Sequence, residues 1–194
     1  MSYQLLGIPA QRYIGAFVIL FTSIVVRRIV RAIIGRHLAR LAEKTKTKFD
    51  DSLFAALSKP VSVAVFLTGI FLAVLVLRVP EELNTVVVNV FKVLFAAVGM
   101  WLLFRLIDVI AQYFTSLAGR TESRLDDQLV PLLSKTAKLF VGVVAFVLVV
   151  QNLGYSVSGL LAGLGIGGLA VALAAKDMLS NVFGSATIFL DRPF

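Results

Sequence analysis

Five apolar runs, each closed off by basic or turn-forming residues, dictate what this chain can become. A bilayer's hydrocarbon core is crossed by about 20 apolar residues, range ~17–25. Inside it every backbone N–H and C=O must find a partner within the segment, so runs of this length become helices. Mean hydropathy over the 194 residues is +0.93 and 15% of them are charged, where a soluble domain carries about 25%. The chain therefore reads as an integral membrane protein. Its net charge of +8 does not point to nucleic acid, because Lys and Arg collect at the ends of the apolar runs. There they set topology or meet anionic lipid. The lack of cysteine excludes disulfides, thiol catalysis and zinc–thiolate sites. The first residues, MSYQLLGIPAQRYIG, carry neither a basic n-region nor an A-x-A site, which predicts no cleaved signal peptide.

The first span runs from about Tyr13 to Ile34, with an apolar core from Ile14 to Val26. It then turns amphipathic through Arg27, Arg28, Arg31, Arg36 and Arg40, while Ile29, Val30, Ile33, Ile34, Leu38 and Leu41 keep helical spacing. One long helix is expected, with Arg27, Arg28, Arg31 and Arg36 facing lipid. Eight Lys/Arg between Arg27 and Lys48 against the single Glu43 mark the cytoplasmic side. The second span is Val61–Leu77, opened by Pro60 in a first-turn position. The loop RVPEELNT faces outside. The third span is Val86 to about Ile110, with Lys92 placed to snorkel and Arg105 and Asp108 spaced to pair at i, i+3. The fourth is about Thr136–Val150, followed by the turn formers Asn152 and Gly154. The fifth is the Gly/Ala/Leu segment from Ser156. This order puts the N-terminus outside and the C-terminus in the cytoplasm. The expected divisions are 1–58, the first transmembrane helix with its basic extension; 59–115, the second and third helices; 116–155, a cytoplasmic loop and the fourth helix; and 156–194, the last helix.

An internal repeat orders these spans. Residues 41–59, LAEKTKTKFDDSLFAALSK, match residues 117–135, LAGRTESRLDDQLVPLLSK, through Leu41/Leu117, Asp50/Asp126, Asp51/Asp127, Leu57/Leu133 and Lys59/Lys135. The fold class expected is an all-α membrane protein with five transmembrane helices: two repeated hairpins plus a kinked Gly/Ala-rich helix. That last helix has no partner in the chain, so its own copies are candidates to meet it around an axis. The Asp pairs precede Leu-rich helices and suit helix N-termini. His37, the only histidine, lies on an arginine-rich face. No nucleophile–base pair, phosphate loop or metal-ligand spacing is present, so no enzyme activity, cofactor or metal is expected. GLGIGG lacks the preceding strand and following acid of a dinucleotide loop.

Residues 156–194 read SVSGLLAGLGIGGLAVALAAKDMLSNVFGSATIFLDRPF. Glycine costs roughly 0.5–1 kcal/mol against alanine inside a helix, but in a membrane it lets backbones approach closely. Leu169 and Leu173 form a bulky pair on one face, with small residues elsewhere. Copies around an axis would point these leucines inward as a constriction that blocks ions by dewetting; equally, the pattern suits a lipid-embedded packing helix. Lys176 and Asp177 break the apolar run, and Gly184 offers a flexible point. A bend near Lys176–Leu179 is expected, with the second half along the membrane surface and Pro193 ending it.

This segment, from GLGIGG to the closing R-P-F, resembles the pore helix of the small-conductance mechanosensitive (MscS-like) channels, and DDQLVPLLSK…VVQNLGYSVSGLLAG is also similar. The resemblance covers residues 120–194. It implies a homo-heptamer in the cell membrane, with Leu169 and Leu173 as gate residues. Gly165, Gly168 and Ala172 would pack against Ala162, Ile166 and Ala170 of neighbouring copies. Ile166 is bulkier than the family's usual alanine, Ala172 stands where glycine can occur, and Asp177 stands where some members kink at glycine. Leu179, Ser180 and Asn181 match the family's L-S-N. In that family the chain continues past R-P-F into a β-domain and a mixed αβ vestibule.

The function this implies is a channel subunit opened by membrane tension, passing ions and small solutes on hypo-osmotic stress, with membrane lipids and its own copies as partners. The alternative is a non-conducting membrane assembly or lipid-binding module. A secondary transporter fits less well, because no span carries a midplane ionisable residue.

Overall fold

The computed structural model describes residues 4–5, 8–42, 48–118 and 126–191. A short antiparallel pair, β1 (Gln4–Leu5) and β2 (Ile8–Pro9), registers Gln4 with Pro9 and Leu5 with Ile8. It is a small exception to the all-helical expectation. Five helices follow: α1 (Ala10–Ala42), α2 (Lys48–Leu77), α3 (Glu81–Ala118), α4 (Asp126–Asn152) and α5 (Ser158–Asp191). Among the described residues, four stretches are long and apolar enough to cross a membrane: Ser52–Leu77, Leu83–Ser116, Leu129–Asn152 and Ser158–Phe189. The first expected span falls inside α1, whose apolar core is bracketed by Arg12 and Arg27. The 38 residues of α3 make a rod of about 57 Å at 1.5 Å per residue, well beyond a hydrocarbon core of about 30 Å.

The helices begin earlier than their apolar runs. Pro60 does not open a helix but lies inside α2, fully buried, and Pro131 lies inside α4. The reason is continuity: KFDDSLFAALSK is itself helix-forming and joins the apolar run without a break. Proline then costs one hydrogen bond rather than a helix end. Asp50 and Asp51 fall in the first turn of α2, and Asp126 and Asp127 open α4. Their side chains, like those of Arg36 and His37, lie outside the described residues, as do Pro193 and the R-P-F close.

Two units divide the chain, Met1–Leu153 and Gly154–Phe194. In the first, α1 packs on α2, α2 on α3 and α3 on α4. The 41–59 copy of the repeat thus reaches from the end of α1 into α2, and the 117–135 copy from the end of α3 into α4. The α1–α2 seam is made of small residues. Ala16, Ser23, Ser62 and Ala73 are buried there, and a Cβ added at Gly69 would overlap the Ser23 side chain. Lipid tails are as apolar as leucine, so close backbone approach is what holds such a pair together. Ser23 donates its hydroxyl to the Leu20 carbonyl at 2.8 Å, which satisfies that proton inside the seam.

The α2–α3 turn is Arg78–Pro80. Arg78 adopts φ +47°, a left-handed cap on α2, and its N–H donates to the Leu75 carbonyl at 3.1 Å. The Pro80 carbonyl accepts the N–H groups of Leu83 and Asn84 at 3.0 and 2.9 Å, starting α3. Part of the expected loop is thus helix from Glu81. Phe71 of α2 meets Phe91 and Phe95 of α3 with ring centroids 4.9 and 6.2 Å away, aromatic contacts that add about 0.5–1.5 kcal/mol per pair beyond area burial.

In the second unit α5 continues unbroken through Lys176, Asp177 and Gly184. Any bend there is a bend within a continuous helix. Gly154, at φ +92°, ends the turn after α4 in a conformation that costs a side-chain-bearing residue about 1–2 kcal/mol.

Candidate pore-lining helix

Helical phase sorts α5 into four strips. At about 100° per residue, Leu169 and Leu173 lie about 40° apart and Ala162 falls between them. One flank holds Gly165, Gly168, Ala172 and Ala175. The other holds Ile166, Ala170, Gly163 and Ala174. Opposite the leucines, Leu160, Leu164, Val171 and Met178 gather within about 40° of the far pole. A bulky ridge thus stands between two flanks in which small residues predominate, Leu161 and Ile166 being the bulky exceptions, with a second bulky strip behind.

These strips are uncovered. Of the described side chains in α5, all are exposed except the half-buried Ala175. Leu169 and Leu173 are 62% and 63% exposed, and Ile166 is 72% exposed. A Cβ added at Gly163, Gly165, Gly167 or Gly168 would meet no atom within 4 Å. Unused flanks of this length leave room for the backbone of another helix on each side.

Further along, Ser185 donates to the Asn181 carbonyl at 2.9 Å and Thr187 to the Phe183 carbonyl at 3.0 Å. Such back-bonding satisfies a hydroxyl in an apolar setting and weakens the helix locally. It flanks Gly184. Lys176 and Asp177 are exposed and make no ion pair among the described residues.

The basic residues of α1 divide. Arg28 is exposed. Arg27 donates from Nε to Ser62 Oγ at 3.4 Å, and Arg31 from an Nη at 3.2 Å. The Arg27 guanidinium also lies 5.1 Å from the centre of the Phe66 ring. These two arginines therefore turn part of their donor set onto α2, a cross-helix role that the charge pattern alone did not reveal.

Two other charged residues also find partners away from their own helix. Asp108 does not pair with Arg105; it accepts from Lys138 Nζ of α4 at 2.5 Å. Lys92 donates to the Asn152 carbonyl at the end of α4, at 2.7 Å, where helix carbonyls lack internal partners and attract cations. For Asp108 the partner comes from the neighbouring helix and not from its own helix one turn away. Among the described residues no three His, Cys, Asp or Glu side chains cluster to hold a metal.

Residues 135–176 match the family described as mechanosensitive ion channel, transmembrane helices 2/3; they comprise most of α4 and the first half of α5. The large-conductance mechanosensitive channel MscMJLR of Methanocaldococcus jannaschii is 35% identical over 94% of this chain and 51% of its own length. The small-conductance channel MscMJ of the same organism is 29% identical over 100% of this chain and 56% of its own. The low conductance channel YnaI of Escherichia coli is 46% identical over 32% of this chain and 18% of its own. The chain thus spans about half the length of the first two relatives. No solved structure matches it.

Proposed function

The chain belongs to the MscS family of mechanosensitive ion channels, and we propose that it supplies the membrane part of a tension-gated pore. Copies of α5 surround an axis, flank against flank, with Leu169 and Leu173 turned inward. The observation that carries this reading is the four-strip pattern of an exposed α5: a leucine ridge between two small-residue flanks. Gly165, Gly168 and Ala172 of one copy meet Ile166 and Ala170 of the next, and a heptamer is the assembly that the family resemblance supports.

The leucine rings close the pore by dewetting: a narrow apolar constriction excludes water, and ions do not cross without it. Opening widens the ring. If the open assembly occupies more membrane area, tension favours it by the work done in that expansion. The apolar exterior of α1–α4 gives the bilayer its hold, as at Phe17 and Phe140. An apolar crevice between α1 and α2, lined by Ile19, Val26, Val65 and Leu72, is suited to a lipid tail. Arg28, and Arg36 by its place in the sequence, suit anionic headgroups. Lys176, Asp177 and Gly184 mark where α5 changes angle on opening. The protein sits in the cell membrane with its N-terminus outside and its C-terminus in the cytoplasm, an orientation supported by the run of Lys and Arg from Arg27 to Lys48. Ions and small solutes leave through it when hypo-osmotic stress raises tension.

Patch recording of the full-length protein under suction tests this. Currents that rise steeply with suction are expected. A well-assembled protein that never conducts would favour the alternative, a non-conducting lipid-binding assembly.

A further inference from the structure

The apolar ridge of α5 ends in a charge. Lys176 and Asp177 are the only ionisable residues between Ser158 and Leu190. At about 100° per residue, Lys176 lies about 20° from Leu169 and about 20° from Gly165 in phase, at the edge of the leucine ridge. At 1.5 Å per residue it stands about 4.5 Å below Leu173 along the axis. Asp177 is turned about 100° from Lys176, between Ile166 and Ala170 and further than Lys176 from the middle of the ridge, about 60° against about 40°. Both side chains are exposed and neither is paired among the described residues.

We propose that Lys176 is a charge filter: a ring of ammonium groups just inside the leucine constriction that makes the open pore favour anions. This rests on the pore reading above. Each copy contributes one positive charge to the ridge, while its acid faces the neighbouring helix. Charged side-chain rings set the sign of the ions a pore passes. A ring within a Debye length of the axis, about 8 Å at physiological salt, is only partly screened. Lysine suits the place, since its apolar stem extends the surface of Leu173 while the ammonium reaches water.

The experiment is the reversal potential of tension-activated current in a KCl gradient, recorded from the full-length protein in excised patches. Wild type is expected to pass chloride in preference to potassium. Lys176→Gln brings the permeability ratio toward one, and Lys176→Glu inverts it, a total swing of about tenfold given several partly screened charges near the ion path. Asp177→Asn shifts the ratio less than Lys176→Gln does. Should Lys176→Glu not assemble, Lys176→Cys treated in the open state with a positive thiol reagent in one patch and a negative one in another delivers the same comparison. Tension-activated currents with one reversal potential across all Lys176 variants overturn the filter and leave the pore standing. An Asp177→Asn shift as large as that of Lys176→Gln overturns Lys176 as the deciding residue. Absence of any tension-activated current in wild type overturns the pore reading and the filter with it.

Discussion

Leu169 carries the sharpest residue-scale prediction. In the proposed pore a hydroxyl in place of its side chain would wet the constriction, so Leu169→Ser is expected to lower the suction needed for opening, measured against a reference channel in the same patch. An unchanged threshold removes Leu169 from the gate. Gly69 offers a second prediction, about stability. Its Cβ would overlap Ser23, so Gly69→Ala forces α1 and α2 apart at a cost of about 1–3 kcal/mol. Gly99 in α3 has no atom within 4 Å of its Cβ position. Gly99→Ala gains helix propensity and is expected to be neutral or stabilising by up to about 1 kcal/mol. Thermal unfolding of the two variants in one detergent separates them. Equal shifts would mean that the small-residue seam does not hold the first hairpin.

At the scale of elements, α3 and α4 are tied at two points. Lys138 reaches Asp108 partway along their contact, and Lys92 reaches the Asn152 carbonyl at the end of α4. The side chains of Lys138 and Asp108 are 32% and 40% exposed, so their coupling should be that of a partly solvated pair, about 0.2–1 kcal/mol. A double-mutant cycle with Asp108→Asn and Lys138→Gln, read by thermal stability, is expected to return a coupling in that range. Strict additivity would mean the two side chains do not interact. Arg105 was the nearer partner along the chain. Spacing identifies which residues share a helix face, but not which foreign side chain comes closer. The same applies to Arg27 and Arg31. Their charge pattern reads as lipid-facing, whereas the packed hairpin gives them Ser62 and Phe66.

For the whole molecule, the exposed small residues of α5 make a prediction about assembly. Gly168→Leu fills one flank with a side chain that no neighbouring backbone can accommodate at close approach. It should lower or abolish the oligomer seen by native mass spectrometry, while Leu160→Ala, on the opposite strip, leaves the stoichiometry unchanged. Loss of the oligomer in both, or in neither, would count against flank-to-flank packing.

Much of this architecture is legible in the residues themselves. The long apolar runs require helices, because a backbone in lipid has nothing else to bond to. The repeat at 41–59 and 117–135 marks two hairpins and leaves α5 over. The phase of Leu169, Leu173 and Lys176 follows from helical periodicity alone. Helix ends were less legible. Pro60 looks like a start because hydropathy rises there, yet helix formation does not depend on hydropathy and begins at Lys48. Only the tertiary structure decided that Gly69 rides on Ser23, that Ser62 receives two arginines and that Asp108 answers to Lys138. Those contacts join residues about thirty to forty-six positions apart in the chain. They depend on how two helices rotate and slide against each other, and no local periodicity encodes that.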